Sequence, residues 1–199
     1  SIFYTRFSNK IVGDFDTDPD KIIYDNLNSY GISQGASLNV DYTFDFPLTL
    51  NFGFTYMDVY QKMGGNSNFK SQQLHSPKWS GTYNLSYKFK NDLTLDLTGQ
   101  FYGPMRLPIF ENDYRPEYSP WYNLSNVQIS KKFDNGFELY GGVKNLFNFL
   151  PNNPLMRPFD PFDNHIEVDN PYQYTFDTTY GYVPLQGLRG FLGIKYNFK

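Results

Sequence analysis

ASLNVDYTFDFPLTLNFGFTY, residues 36–56, is the stretch on which the fold turns. Ala36, Leu38, Val40, Tyr42 and Phe44 alternate with Ser37, Asn39, Asp41 and Thr43; after the FDFP junction (44–47) the alternation resumes with Leu48, Leu50, Phe52, Phe54 and Tyr56. A period of two belongs to β-strands, whose successive side chains point to opposite faces. Two such runs across a tight joint make a hairpin with one apolar and one polar face. An apolar row of this kind has two explanations: a second protein layer covers it in water, or it faces lipid while the polar row faces water.

Outward from this hairpin the pattern repeats. Trp79, Tyr83, Leu85, Tyr87 and Phe89 lie opposite Ser80, Thr82, Asn84, Ser86 and Lys88, and Leu93, Leu95 and Leu97 lie opposite Thr94, Asp96 and Thr98. The closing stretch GLRGFLGIKYNFK (187–199) sets Leu188, Leu192, Ile194, Tyr196 and Phe198 against Arg189, Lys195 and Asn197. The periodicity predicts about eight strands and no helix: 1–13, 29–45, 47–62, 77–90, 92–104, 121–134, 136–148 and 185–199.

The connections choose between the two explanations. Short joints fall at FDFP (44–47), KND (90–92) and DNG (134–136), whereas 14–28, 63–76, 105–120 and 149–184 are long and rich in Pro, Asn, Asp, Tyr and Phe. Strict alternation of short and long joints puts every short turn at one end. That is the sidedness of an outer-membrane barrel with periplasmic turns and extracellular loops; the crossing connections of a sandwich would break the hairpin order. Phe44 and Phe46, Tyr87 and Phe89, Phe133 and Phe137, and Tyr196 and Phe198 fall at the short-turn end, where an interfacial aromatic girdle belongs; ordinary sheet-core aromatics are the competing explanation.

Composition agrees. Phe 20, Tyr 18 and Trp 2 supply 20% of the 199 residues, yet mean hydropathy is −0.56, a pairing that suits alternating strands. No window approaches the ~18 apolar residues of a membrane-spanning helix. Cysteine is absent, which excludes a disulfide framework and a thiolate metal site. With 17 Lys+Arg against 20 Asp+Glu and a net charge of −3, nothing draws the chain to nucleic acid. Ser1 reads as the first residue of a cut or processed chain, because SIFYTRF already reads as strand.

Three stretches carry a resemblance. ELYGGVKNLFN (138–148), the long loop after it and the terminal GLRGFLGIKYNF resemble the carboxy-terminal end of the TonB-dependent outer-membrane transporters, and NLNSYGISQGASLNVDY (26–42) resembles an upstream strand of that family with Ser37 where Glu is usual. The resemblance implies the last part of a barrel of roughly 22 strands with a plugged lumen, located in the outer membrane of a Gram-negative bacterium. The plug domain is absent from residues 1–199. Implied partners are lipid, the plug and remaining strands, the TonB energy-coupling complex, the barrel-assembly machinery reading Tyr196 and Phe198, and a surface lipoprotein. The implied cargo is a scarce large nutrient such as a metal chelate, cobalamin or haem. A complete eight-stranded barrel with an anchoring or adhesive role is the alternative; against it, the inward Ser, Thr, Asn and Gly row suits a wide wetted lumen better than a narrow packed interior.

No catalytic constellation emerges. His75 and His165 lie in different long loops with no positioned third partner, so an enzyme is not expected. No cofactor is expected. Asp14, Asp16, Asp18 and Asp20 sit at alternate positions of DFDTDPD, spaced like the opening ligands of a calcium loop. The sixth-position Gly and the closing Glu of such a loop are missing, and a solvated acidic loop is the preferred reading. Asp160, Asp163, His165, Glu167 and Asp169 form a second acidic cluster, read as surface charge ahead of a divalent-ion site. For ligand capture, the loop residues combining reach with aromatic or guanidinium character are Tyr114, Arg115, Tyr118, Arg157, Phe159 and Tyr172; loop-to-loop packing is the equal alternative.

Overall fold

The computed structural model describes residues 1–8, 10–14, 23–26, 29–62, 70–109, 115–152, 180–196 and 198. Its strands are β1 (Ile2–Phe7), β2 (Ile11–Asp14), β3 (Ile23–Asn26), β4 (Gly31–Thr43), β5 (Leu48–Lys62), β6 (Lys70–Gln72), β7 (Trp79–Lys88), β8 (Leu93–Tyr102), β9 (Tyr122–Lys132), β10 (Phe137–Lys144) and β11 (Arg189–Tyr196). One antiparallel sheet runs β1-β4-β5-β7-β8-β9-β10-β11, with β6 added to the far end of β5. Chain order is preserved along this path, as in an up-and-down wall. Among the described residues no ladder joins β1 to β11, so the sheet stays open.

Register sorts the faces as periodicity predicts. Ala36, Leu38, Val40 and Tyr42 of β4 lie against Tyr56, Phe54, Phe52 and Leu50 of β5, and Leu50 against Leu85 of β7. Leu95 lies against Tyr87 and Ile129, and Leu139 against Ile194. Nothing among the described residues covers this face: Leu38, Leu139, Leu192 and Ile194 are all exposed. A face of exposed Leu, Ile and Phe several strands wide is stable only in lipid. The opposite face carries Asn39, Asn51, Asn84, Thr98, Asn126 and Gln128, with side-chain hydrogen bonds such as Asn84 Nδ2 to Asn51 Oδ1 at 3.0 Å.

The three short turns share one geometry. The amides of Phe44, Phe89 and Phe133 donate to the carbonyls of Leu48, Leu93 and Phe137 at 3.0, 2.8 and 2.9 Å, closing three-residue hairpin loops. Two of the loops also use left-handed residues, Asn91 and Asp92 (φ 62 and 55) in one and Gly136 (φ 85) in the other. Aromatic pairs gather at that end, with Tyr42–Phe44, Tyr87–Phe89 and Phe137–Tyr196 centroids 4.7, 4.5 and 4.6 Å apart. A second outward group stands at the long-loop end, where Tyr56 and Trp79 meet at 4.4 Å and Trp121 is exposed. The apolar band is therefore bounded by rings on both sides.

The strand prediction needs four corrections. The strand expected over 1–13 is two: β1 stops at Phe7, and β2 leaves the wall to pair with β3 in a separate ribbon. The polar Ser8-Asn9-Lys10 step ends the alternation there. β3 and β6 fall within the stretches 14–28 and 63–76 expected as loops. β10 ends at Lys144 because Asn145 turns to φ 51. β11 begins at Arg189, leaving Leu188 outside the apolar row, because Asn148 Oδ1 takes the Leu188 amide at 2.8 Å.

Candidate ligand-facing site

The long-loop end of the polar face is where the chain packs on itself. Residues 103–109, 115–121 and 180–186 fold onto it and bury Met105, Leu107, Tyr122, Tyr180 and Val183, with Tyr102, Ile109, Leu124, Phe149 and Tyr182 packed around them. Tyr102, Tyr122 and Leu124 are inward positions of β8 and β9. This is the hydrophobic core among the described residues, and it caps the lumenal side instead of the lipid side.

Hydrogen bonds hold the cap. Leu107 N donates to Glu117 O at 2.8 Å, Ser119 N to Met105 O at 3.0 Å, and Met105 N to Ser119 Oγ at 3.1 Å. Arg106 is the strut between loops: Nη1 reaches Ser71 Oγ at 3.0 Å, Nε reaches Glu117 Oε1 at 3.3 Å, and its carbonyl accepts the His75 amide at 2.8 Å. Tyr122 stacks on Phe149 at 5.1 Å and donates its hydroxyl to Tyr182 O at 3.3 Å. Burial pushes the Tyr182 phenol above its ordinary value, against a smaller opposing hydrogen bond from the Asn152 backbone.

Asn145 fastens the long connection between β10 and β11. It is buried, its Nδ2 donates to Phe149 O at 2.8 Å and to Gln186 O at 3.2 Å, and its Oδ1 accepts Phe149 N at 2.9 Å. One side chain thus ties both ends of residues 149–186, and the KNLFN motif (144–148) is a latch.

Two concavities open between cap and wall. The first, about 390 Å³, is lined by His75, Gln100, Tyr102, Met105, Tyr122 and Tyr182 among others. The second, about 350 Å³, is lined by Thr98, Gln100, Asn126, Lys144, Gln186 and Arg189 among others, and no carboxylate is among its lining residues. Lys144 and Arg189 are direct cross-strand partners. Like charges placed opposite each other repel, and an anion between them relieves that repulsion. Aromatic edges beside paired cations suit a bulky anionic ligand.

The residues selected from sequence are distributed unevenly over this site. Arg115 is 3% exposed, its guanidinium 4.1 Å from the Tyr180 ring, while Tyr180 donates its hydroxyl to Pro116 O at 2.9 Å. Tyr118 is in the same loop, exposed and bridged to Arg106. Tyr114, Arg157, Phe159 and Tyr172 lie outside the described residues, as do Asp16, Asp18, Asp20 and the cluster from Asp160 to Asp169 with His165. Asp14 closes β2 opposite Ile23. Among the described residues no three His, Asp or Glu are grouped to hold a metal. Tyr196 and Phe198 meet edge to face at 4.8 Å at the short-turn end. Sequence reading missed Lys144 and Arg189, although both are cations on the polar side of strands flanking the latch motif; strand pairing was the absent information.

An open antiparallel wall with an apolar outer face, a polar inner face and loops folded inward at one end defines a segment of an outer-membrane receptor barrel. The chain belongs to the family described as TonB dependent receptor-like, beta-barrel, whose model matches residues 1–146. Members of this family are receptors of the Gram-negative outer membrane and not enzymes. Similar solved structures include the ferric-catecholate import receptor Fiu of E. coli K12 (13% identity, 99% of this chain and 24% of that one, TM-score 0.64). The siderophore receptor PiuA of Acinetobacter baumannii is comparable (14%, 98% and 25%, 0.62), as is the FrpB iron transporter of Neisseria meningitidis (15%, 99% and 28%, 0.56). The chain thus spans about a quarter of the length of the solved receptors it matches. Comparison with curated proteins finds no match.

Proposed function

We propose that the chain forms the carboxy-terminal wall segment of a TonB-dependent transporter that imports a ferric siderophore. The observation that carries this reading is the inward concavity of Lys144 and Arg189 with no lining carboxylate, beside the tyrosines of the cap. Ferric catecholates present flat aromatic groups and net negative charge, and the similar structures named for iron import favour this cargo over cobalamin or haem. Lys144, Arg189 and Tyr118 contact the chelate in this reading, with Tyr114, Arg157, Phe159 and Tyr172 as further loop contacts. Arg115, held under Tyr180, keeps the loop in place. The open edges of β1 and β11 pair with the remaining wall strands, a plug domain fills the lumen, and the TonB complex drives its rearrangement. The chain itself performs no chemical step.

The test uses the full receptor that carries this chain. Replacing Lys144 and Arg189 together by Gln is expected to weaken ferric-siderophore binding about tenfold, at ~1.4 kcal/mol per tenfold change, with unchanged barrel folding in heat-modifiable gel mobility. Titration with ferric and iron-free chelates reads the effect. Equal affinity in the double variant, or no binding of any ferric chelate by the wild type, refutes the proposal.

A further inference from the structure

The outward face changes character above the apolar band. From Leu48 to Tyr56 on β5 the outward side chains are apolar or aromatic, and that run, tilted as in a barrel, spans roughly 20 Å. Beyond Tyr56 the outward row reads Asp58, Tyr60 and Lys62 on β5, Gln34 and Ile32 on β4, Tyr4 and Arg6 on β1, and Lys70 and Gln72 on β6. Three cations stand with one carboxylate. Asp58 binds Lys70 at 2.7 Å; among the described residues Arg6 and Lys62 have no carboxylate within ion-pair distance.

Their arrangement is held by rings. The Arg6 guanidinium lies 4.5 Å and the Lys62 ammonium 5.6 Å from the centroid of Tyr30, and the Lys70 ammonium lies 3.8 Å from that of Tyr60. The rings hold the charged heads themselves by cation–π contact, which fixes their positions without neutralising their charge. Lys62 and Lys70 are direct cross-strand partners, a like-charge placement that Asp58 relieves on the Lys70 side only. The cluster starts about 10 Å above Tyr56 by strand rise. That is headgroup height, directly over the acyl chains that cover Phe54, Tyr56 and Trp79.

We propose that Arg6, Lys62 and Lys70, framed by Tyr30 and Tyr60, bind the phosphorylated headgroup of an outer-leaflet lipid. The occupant follows from continuity: the cations crown a lipid-facing surface on its outward side, so the anion they meet is one that a lipid presents at that height. This site is on the opposite face of the wall from the lumenal cations, and it rests on the membrane placement and not on the cargo proposed above.

The full receptor carrying this chain is reconstituted in phosphatidylcholine bilayers alone, with lipopolysaccharide, or with dephosphorylated lipopolysaccharide. It is then extracted in detergent, and retained lipid phosphate per protein and the thermal midpoint of the barrel are measured. Wild type is expected to retain lipopolysaccharide and to gain thermal stability from it, with apparent affinity falling about fivefold for each charge removed in Arg6→Gln, Lys62→Gln and Lys70→Gln combinations. Lys62→Arg with Lys70→Arg is expected to restore retention, which separates charge from folding. Equal retention by the triple variant and wild type, equal retention of the dephosphorylated lipid, or the same stabilisation by inorganic phosphate alone overturns the proposal. Ferric-siderophore binding measured on the same samples separates the two readings: a wild type that binds no chelate yet keeps the lipid difference refutes the cargo assignment and leaves this one standing.

Discussion

The wall and the cap of this chain are built on opposite terms. In the wall, Leu38, Leu139 and Ile194 are exposed and strand ladders with surrounding lipid supply the cohesion; in the cap, Leu107 and Tyr180 are 0% and 1% exposed and packing supplies it. The difference teaches that a side chain's environment here follows from which face of a strand it occupies, and not from its hydrophobicity. It also predicts that damage to one region will leave the other readable.

The sharpest break is in the wall. A Cβ at Gly142 would meet the Val127 carbonyl oxygen and lie 2.9 Å from both Gln128 Cα and the Phe191 ring, so backbone would have to move. Gly142→Val is expected to abolish pairing of β10 with β9, with no heat-modifiable band in gels and no insertion into bilayers. Next in size is the cap: Leu107→Ala empties a fully buried position and costs about 2–5 kcal/mol of local packing. Proteolysis is expected to cut within 103–121 while the wall keeps its folded mobility. Cleavage that spreads to the wall, or none at all, would break the comparison. Smaller again is Asn145→Ala, which removes the hydrogen bonds to the Phe149 amide and to the carbonyls of Phe149 and Gln186, at about 1 kcal/mol each. Hydrogen exchange is expected to rise at Phe149 and stay low in β9; protection unchanged at Phe149 would show that the latch holds nothing.

Much of the wall was legible because its signal is local. Alternation in ASLNVDYTF and the left-handed formers in KND and DNG dictate strand and turn from neighbouring residues alone, and the short turns closed where Phe44, Phe89 and Phe133 stand. The cap was not legible. Its parts come from residues 71–75, 103–109, 115–121 and 180–186, brought together by contacts such as Arg106 to Ser71 that no periodicity announces. Arg115 shows the limit well: its type suits a ligand, and its burial under Tyr180 depends on a residue far along the chain. Lys144 and Arg189 needed the β10–β11 register before they could be seen as a pair. The break after Phe7 was hidden for the opposite reason, because β2 keeps a strand-like sequence while changing partner.

Asn145 and its neighbour Asn148 have one more consequence. Because they anchor Phe149, Gln186 and Leu188 from the wall side, the intervening sequence can be exchanged, lengthened or shortened without altering where β11 re-enters the sheet. Loop length and sheet register are thereby decoupled: two asparagines keep the seam in place whatever number of residues runs between its two sides.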